Sequence, residues 1–162
     1  VFISRWDAAV NDKAPAQLRN KLGIAIALRT YKASRELLTS PHWTRVDSAG
    51  VWPQRLLWAS TGVKDPQASP VLYVKALAAP FTIDTMPEGT LKALAEETEL
   101  GSMMAADGGD CEQVLAAFTA AGIDLDALAE RLQDEGTKSF AKSWKSLMAV
   151  IASKREPGAK AA

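Results

Sequence analysis

Apolar and polar positions alternate with two different periods along this chain, and the switches between them outline its elements. Val1-Phe2-Ile3-Ser4 is an apolar run short enough for a strand. Over residues 15–38, Ile24, Ala27, Leu28 and Tyr31 recur at i, i+3, i+4 and i+7, with Arg19, Arg29, Lys32 and Glu36 on the other side. That spacing predicts an amphipathic helix. Ser40-Pro41-His42-Trp43 ends it, and a loop containing Gly50 follows to Pro53. Residues 55–59 form a second apolar run between Pro53 and Ser60-Thr61-Gly62, the length of a buried strand. A short helix is expected over residues 71–78 and a third strand over 81–85. Thr85-Met86-Pro87-Glu88 reads as a helix start, with Thr85 as N-cap, and that helix runs to about Glu97.

The remainder is helical. Asp110-Cys111-Glu112-Gln113 resembles a capping box, with Val114, Ala117, Phe118 and Ala121 as the stripe behind it and Gly122 as the left-handed stop. Asp124 opens the next helix, with Leu125, Leu128 and Leu132 on one face, and Gly136 is expected to end it. Thr137 opens the last one, on which Phe140, Trp144, Leu147 and Ile151 fall at helical spacing. There is no internal repeat, and the tail from Lys154 is expected to fray.

Strands separated by helical crossovers must pair in parallel. Three such strands need more strands, in an open doubly wound sheet or a closed (β/α)8 barrel. No Gly-x-Gly-x-x-Gly turn follows a strand, which favours barrel packing. The expected organisation is a partial barrel over residues 1–100, C-terminal helices packed on it over 101–154, and a disordered tail over 155–162.

Composition narrows the function classes. The 162 residues suit one domain or a large piece of one, and 48% hydrophobic with 23% charged residues is ordinary globular usage. No run of 18 apolar residues suggests a membrane span, and no basic-then-apolar start suggests a signal peptide. A single cysteine, Cys111, excludes an internal disulfide and a cysteine-based zinc site, so the default expectation is a cytoplasmic protein. Zero net charge argues against a dedicated nucleic-acid binder. Yet residues 1–64 carry 10 Lys and Arg against 4 Asp and Glu, and the rest 9 against 15, so the first part is positive by six. That asymmetry suits a region that attracts anions, or simply two solvated faces.

In parallel α/β folds, active sites lie at the C-terminal ends of the strands. Here those ends carry Ser4 and Arg5, then Ser60, Thr61, Gly62 and Lys64, then Asp84 and Thr85. A guanidinium, an ammonium and several hydroxyls on one face suit a phosphate group. The competing reading is that Ser60-Thr61-Gly62 is a plain turn and Arg5 pairs with Asp7. His42, alone in a proline turn, and Cys111, near a helix start, read as structural. The tryptophans at 6, 43, 52, 58 and 144 read mainly as core, and Glu96, Glu97 and Glu99 as a solvated helix end. Asp107 and Asp110 lack the spacing of a calcium loop.

Several ordered segments resemble the transaldolase family. Val1-Phe2-Ile3-Ser4-Arg5-Trp6-Asp7 is similar to the strand that ends in that family's Ser-Arg-x-Asp element. The segment from Pro53 through Trp58, Ser60, Thr61 and Lys64 to Pro66 resembles its Pro-Gln-Arg-x-Leu-Trp-Ala-Ser-Thr stretch, which continues to Lys-Asn-Pro. Leu72-Tyr73-Val74, Thr82-Ile83-Asp84-Thr85-Met86-Pro87-Glu88 and Gly122-Ile123-Asp124-Leu125 follow in order. The likeness covers nearly the whole chain and points to the bacterial branch that includes fusions with phosphoglucose isomerase.

The resemblance implies the C-terminal part of a (β/α)8 barrel beginning at its sixth strand. It implies transfer of a dihydroxyacetone unit from sedoheptulose 7-phosphate to glyceraldehyde 3-phosphate, giving erythrose 4-phosphate and fructose 6-phosphate in the pentose phosphate pathway. The chemistry runs through a lysine Schiff base with no cofactor and no metal. The Schiff-base lysine is expected upstream, so no catalytic residue is assigned in this chain, which is expected to be inactive alone. Arg5, Ser60 and Lys64 match the phosphate-binding positions, and Ser4, Trp58, Thr61 and Asp84 are expected to line the pocket. Sugar phosphates are the expected partners, with no nucleic acid and no membrane. Asp84 and Asp65 stand where the family commonly has Asn. The alternative is a non-catalytic half-barrel that binds phosphosugars or self-associates, as a homodimer, across its open edge.

Overall fold

The structure, a computed structural model, describes residues 2–154. The expected strand residue Val1 and the expected disordered tail 155–162 lie outside them. Two parallel strands, β1 (Leu56–Trp58) and β2 (Thr82–Asp84), pair in the register Leu56–Thr82, Leu57–Ile83 and Trp58–Asp84. Phe2 adds a parallel bridge to Ala59 on the other side of β1. The expected first strand is therefore one bridge, because the chain turns into helix α1 (Ser4–Val10) immediately afterwards. The other helices are α2 (Leu22–Leu38), α3 (Pro41–Asp47), α4 (Leu72–Ala76), α5 (Glu88–Ala95), α6 (Cys111–Ala120) and α7 (Leu125–Lys154). This is a small α/β arrangement consistent with part of a (β/α)8 barrel. No helix among the described residues is long and apolar enough to cross a membrane.

One compact unit runs to Ile123 and a second begins at Asp124. The core of the first lies between the sheet and its helices: Ile3, Ala27, Tyr31, Trp58, Tyr73, Leu77 and Met104 are buried together. Ile24 and Leu28 pack against them, so the stripe expected on α2 is the stripe that is buried. Leu115 and Phe118 of α6 are buried, and α6 is tied to α2 by a two-pronged Arg29–Glu112 ion pair at 2.5 and 2.9 Å. Strand alternation puts Ile3, Trp58 and Asp84 on the helix-facing side. It leaves Phe2, Leu57 and Ile83, 44, 40 and 42% exposed, on the other.

Several local expectations change. The long helix does not start at Pro15. A 3₁₀ turn (Ala16–Leu18) ends at Asn20, whose φ of +59° interrupts the chain before α2. Asn20 tolerates that conformation because its amide N–H, its carbonyl oxygen and its side-chain NH2 are engaged with Asn11 and Asp65. Ser40-Pro41 ends α2 but also starts α3: the Ser40 hydroxyl accepts from the Trp43 N–H, and Pro41 occupies the first turn. Thr85 is not the cap of α5, because its N–H and hydroxyl both donate to the Trp58 carbonyl. Asp110 makes no side-chain cap, and the buried stripe of α6 is Cys111, Leu115 and Phe118.

The stop after α6 is the expected one. Gly122 has φ +85°, with Gly122 N–H on the Thr119 carbonyl and Ile123 N–H on that of Phe118. The Asp124 carboxylate accepts from the N–H groups of Asp126 and Ala127. Gly136 does not end a helix; α7 runs through it. Thr137 donates to the Gln133 carbonyl instead of capping, and the Lys138–Asp134 pair spans the glycine. Of the tryptophans, Trp58 is fully buried, while Trp52 and Trp144 are 89 and 63% exposed, so the core assignment fails for those two.

Candidate functional site

The site grows from the point where β1 ends. Hydrogen bonds from Ile3 N–H to the Ala59 carbonyl and from Ser4 N–H to the Ser60 carbonyl, both 2.9 Å, zip the N-terminal segment along β1. They stop where Ser60 takes φ +58°, which turns the chain out of the strand. The two serines are thereby left side by side, with their hydroxyl oxygens 3.0 Å apart. Ser4 is fully buried and Ser60 partly exposed, so the pair has an inner and an outer member.

Arg5 follows in the first turn of α1, partly exposed, with its guanidinium 5.3 Å from the centre of the Phe2 ring. It does not pair with Asp7, as the competing reading of the sequence has it. The Asp7 carboxylate is buried and accepts from Leu22 N–H (2.8 Å), Gly23 N–H (3.2 Å) and the Tyr73 hydroxyl (2.8 Å). It thus satisfies the start of α2 and fixes α1 against it. Burial pushes the Asp7 carboxyl up against the pull of these three bonds. Burial and the facing carboxylate push the Tyr73 phenol well up, so it stays a donor. Gly23 is required there: a Cβ would sit 2.6 Å from the Ile3 carbonyl oxygen and 2.8 Å from Asp7.

Lys64 is exposed in the loop after β1. Its neighbour Asp65 points the other way, into a network of Asn20 NH2 (2.8 Å), Gln67 N–H (3.0 Å) and the Arg19 guanidinium (2.8 Å). The Asn20 bond, then that of Gln67, and Arg19 besides, hold the Asp65 carboxyl below its usual range. An acid at this position is therefore neutralised by a cation and anchors the loop. Neither Arg5 nor Lys64 forms an ion pair among the described residues.

Thr61 is fully buried and donates to Asp84 Oδ1 at 2.7 Å. Asp84 Oδ2 and the Trp58 Nε1–H are buried without a partner, and burial pushes the Asp84 carboxyl up. Trp58 and Asp84 are register partners on the helix-facing side, and Trp58 is 1% exposed. The Thr61–Asp84 bond ties the loop after β1 to the end of β2. Ser4 and Ser60 are brought together, and Thr61 with Asp84, whereas Arg5 and Lys64 follow the serines in sequence, Arg5 lying over the Phe2 ring and Lys64 exposed.

Asp7, Gly23 and Tyr73 are the supporting residues that pattern reading misses. Asp7 stands in the Ser-Arg-x-Asp element, but its partners come from 15 and 66 residues away. Cys111 is buried, its thiol pushed up chiefly by that burial, and His42 lies exposed in the first turn of α3. No cluster of three or more metal-ligating side chains exists among the described residues.

The comparisons with known proteins agree with one another. Residues 1–151 match the family described as transaldolase/fructose-6-phosphate aldolase. A transaldolase of Saccharopolyspora erythraea is 39% identical over 156 residues, covering 93% of this chain and 43% of that protein. One from Neisseria meningitidis is 36% identical over 150 residues, with the same coverage. One from Mycolicibacterium smegmatis is 40% identical over 156 residues, covering 91% of this chain and 42% of its own length. The chain thus spans less than half the length of these relatives. A family match over almost every residue, together with parallel strands whose ends carry Ser4 and Ser60, makes this chain a member of the transaldolase/fructose-6-phosphate aldolase family.

Proposed function

We propose that this chain is the C-terminal part of a transaldolase and supplies the phosphate-binding side of its active site. The carrying observation is the Ser4–Ser60 hydroxyl pair at the strand ends, flanked by two cations free of carboxylate partners. The two hydroxyls can share their bond in either direction, and with Ser4 as its donor the Ser60 proton is left for a ligand. Ser60 then donates to a phosphate oxygen, Arg5 supplies a planar fork of donors, and Lys64 adds a mobile charge. Thr61, held by Asp84, stiffens the loop between Ser60 and Lys64.

The complete enzyme transfers a dihydroxyacetone unit between sugar phosphates through a Schiff base on a lysine contributed upstream. The Schiff base accepts the electron pair released as the carbon–carbon bond breaks. The residues of this chain bind and orient the phosphate group. The sheet face on which the apolar Phe2 and Ile83 stand exposed supports the partial-barrel reading, because further strands and helices of a barrel would cover it. That same face favours the second reading, a half-barrel covered by its own copy.

In the native-length enzyme, Arg5→Ala should raise the Michaelis constant for fructose 6-phosphate about tenfold or more, the worth of a charge-assisted hydrogen bond. An unchanged constant removes Arg5 from the site. The intact mass of the native protein separates the two readings. A mass of about twice 17.3 kDa or more fits the partial barrel, and a 17.3 kDa chain that dimerises fits the second reading.

A further inference from the structure

The opposite ends of the strands carry a separate cavity of about 380 Å³. It is walled by Tyr31 and Arg35 of α2, Trp43 of α3, Trp52 and Arg55 on the way into β1, and Phe81 just before β2. Its volume falls within the range of small-molecule clefts, and its wall is mainly apolar and aromatic. Two of the aromatic rings stand open in this chain: Trp52 is 89% and Phe81 68% exposed. Phe81 also holds φ at +62°, a strained conformation for a bulky residue. Its ring is kept under the Arg35 guanidinium, 5.6 Å from the ring centre.

The charge of the wall is one-sided. Arg35 and Arg55 both line it, no Asp or Glu does, and neither arginine forms an ion pair among the described residues. Flat rings recognise a flat apolar body, and a guanidinium without a carboxylate partner recognises an anion. We propose that this cavity is a second ligand site, for a planar aromatic molecule bearing an anionic group. The aromatic body stacks on Trp52 and Phe81, and the anion meets Arg35 and Arg55. A sugar phosphate lacks the flat apolar body, so the site is independent of the one at the strands' C-terminal ends.

The test is calorimetric titration of the native-length protein with naphthalene-2-sulfonate, using neutral naphthalene-2-sulfonamide as the comparison. The expected result is saturable one-to-one binding of the sulfonate, with the sulfonamide about tenfold weaker. Arg35→Gln and Arg55→Gln should each weaken the sulfonate several-fold while leaving the sulfonamide unchanged. Trp52→Ala should weaken both probes. Trp52 and Arg55 are exposed, so their variants should melt with the parent. Excess fructose 6-phosphate should not displace the sulfonate. No saturable binding, equal binding of the two probes, indifference to both arginine variants, or displacement by fructose 6-phosphate would each overturn the proposal.

Discussion

At the C-terminal ends of β1 and β2 the side chains are small and polar, and most of them are tied to one another: Ser4 with Ser60, Thr61 with Asp84, Thr85 with the Trp58 carbonyl. At the N-terminal ends of the same strands the side chains are large, aromatic and exposed, with two arginines among them. The strands are three residues long, so both sets are held by the same few backbone hydrogen bonds. The difference shows how a parallel sheet presents two chemically distinct surfaces. One end hands the chain to helices through loops rich in polar residues, and the other receives it from proline-containing approaches. Small groups that satisfy each other make a closely tied polar end; bulky groups that do not make a cleft.

The contrast depends most on Asp7, which holds α1 and thereby Ser4 and Arg5. Asp7→Ala leaves two N–H groups and the Tyr73 hydroxyl without their acceptor. It should destabilise the protein by about 3 kcal/mol or more, measured by urea unfolding. The next effect concerns the carboxyl left half-satisfied at the polar end. The folded state raises the Asp84 carboxyl above its ordinary value of 3.8, so it disfavours the charged form. The resulting penalty is absent below pH 3.8, sets in as pH rises through that value, and is complete above the raised one. Asp84→Asn, which keeps an acceptor for Thr61, should therefore raise stability at pH 7 and lose that advantage in acid. Thermal melts across pH would read this, and a pH-independent difference would contradict it. The smallest effect belongs to the aromatic end: Trp52→Ala should change stability by no more than about 0.5 kcal/mol, because an exposed ring that packs on little is lost cheaply. A larger loss would mean that Trp52 is part of the core after all.

Legibility in the sequence followed the range of the interactions. The stop at Gly122 and the cap at Asp124 depend on neighbours within six residues and stand as read. The stripe on α2 stands because its period reports a single buried face. Gly136 misleads because a glycine ends a helix when it takes a left-handed φ; here the Lys138–Asp134 pair and a Thr137 bond run past it. Ser40-Pro41 misleads for the opposite reason, since one dipeptide both breaks a helix and begins another. At the site, Ser4, Arg5, Ser60 and Lys64 were legible as strand-end polar residues. The burial of Trp58 and the Thr61–Asp84 bond were not legible, because a one-residue difference along a strand decides which side a group faces.

Periodicity, caps and strand-end chemistry were thus set locally, by backbone sterics and by bonds that close within one or two turns. So was family membership, which rests on short ordered segments. The pairing of Ser4 with Ser60 across 56 residues and the capture of Asp7 by α2 and Tyr73 came only with the tertiary fold. So did the Asp65 anchor and the aromatic cleft around Arg35 and Arg55. These depend on which faces meet when the strands align, a long-range choice governed by burial of the whole sheet face rather than by any residue's own preference.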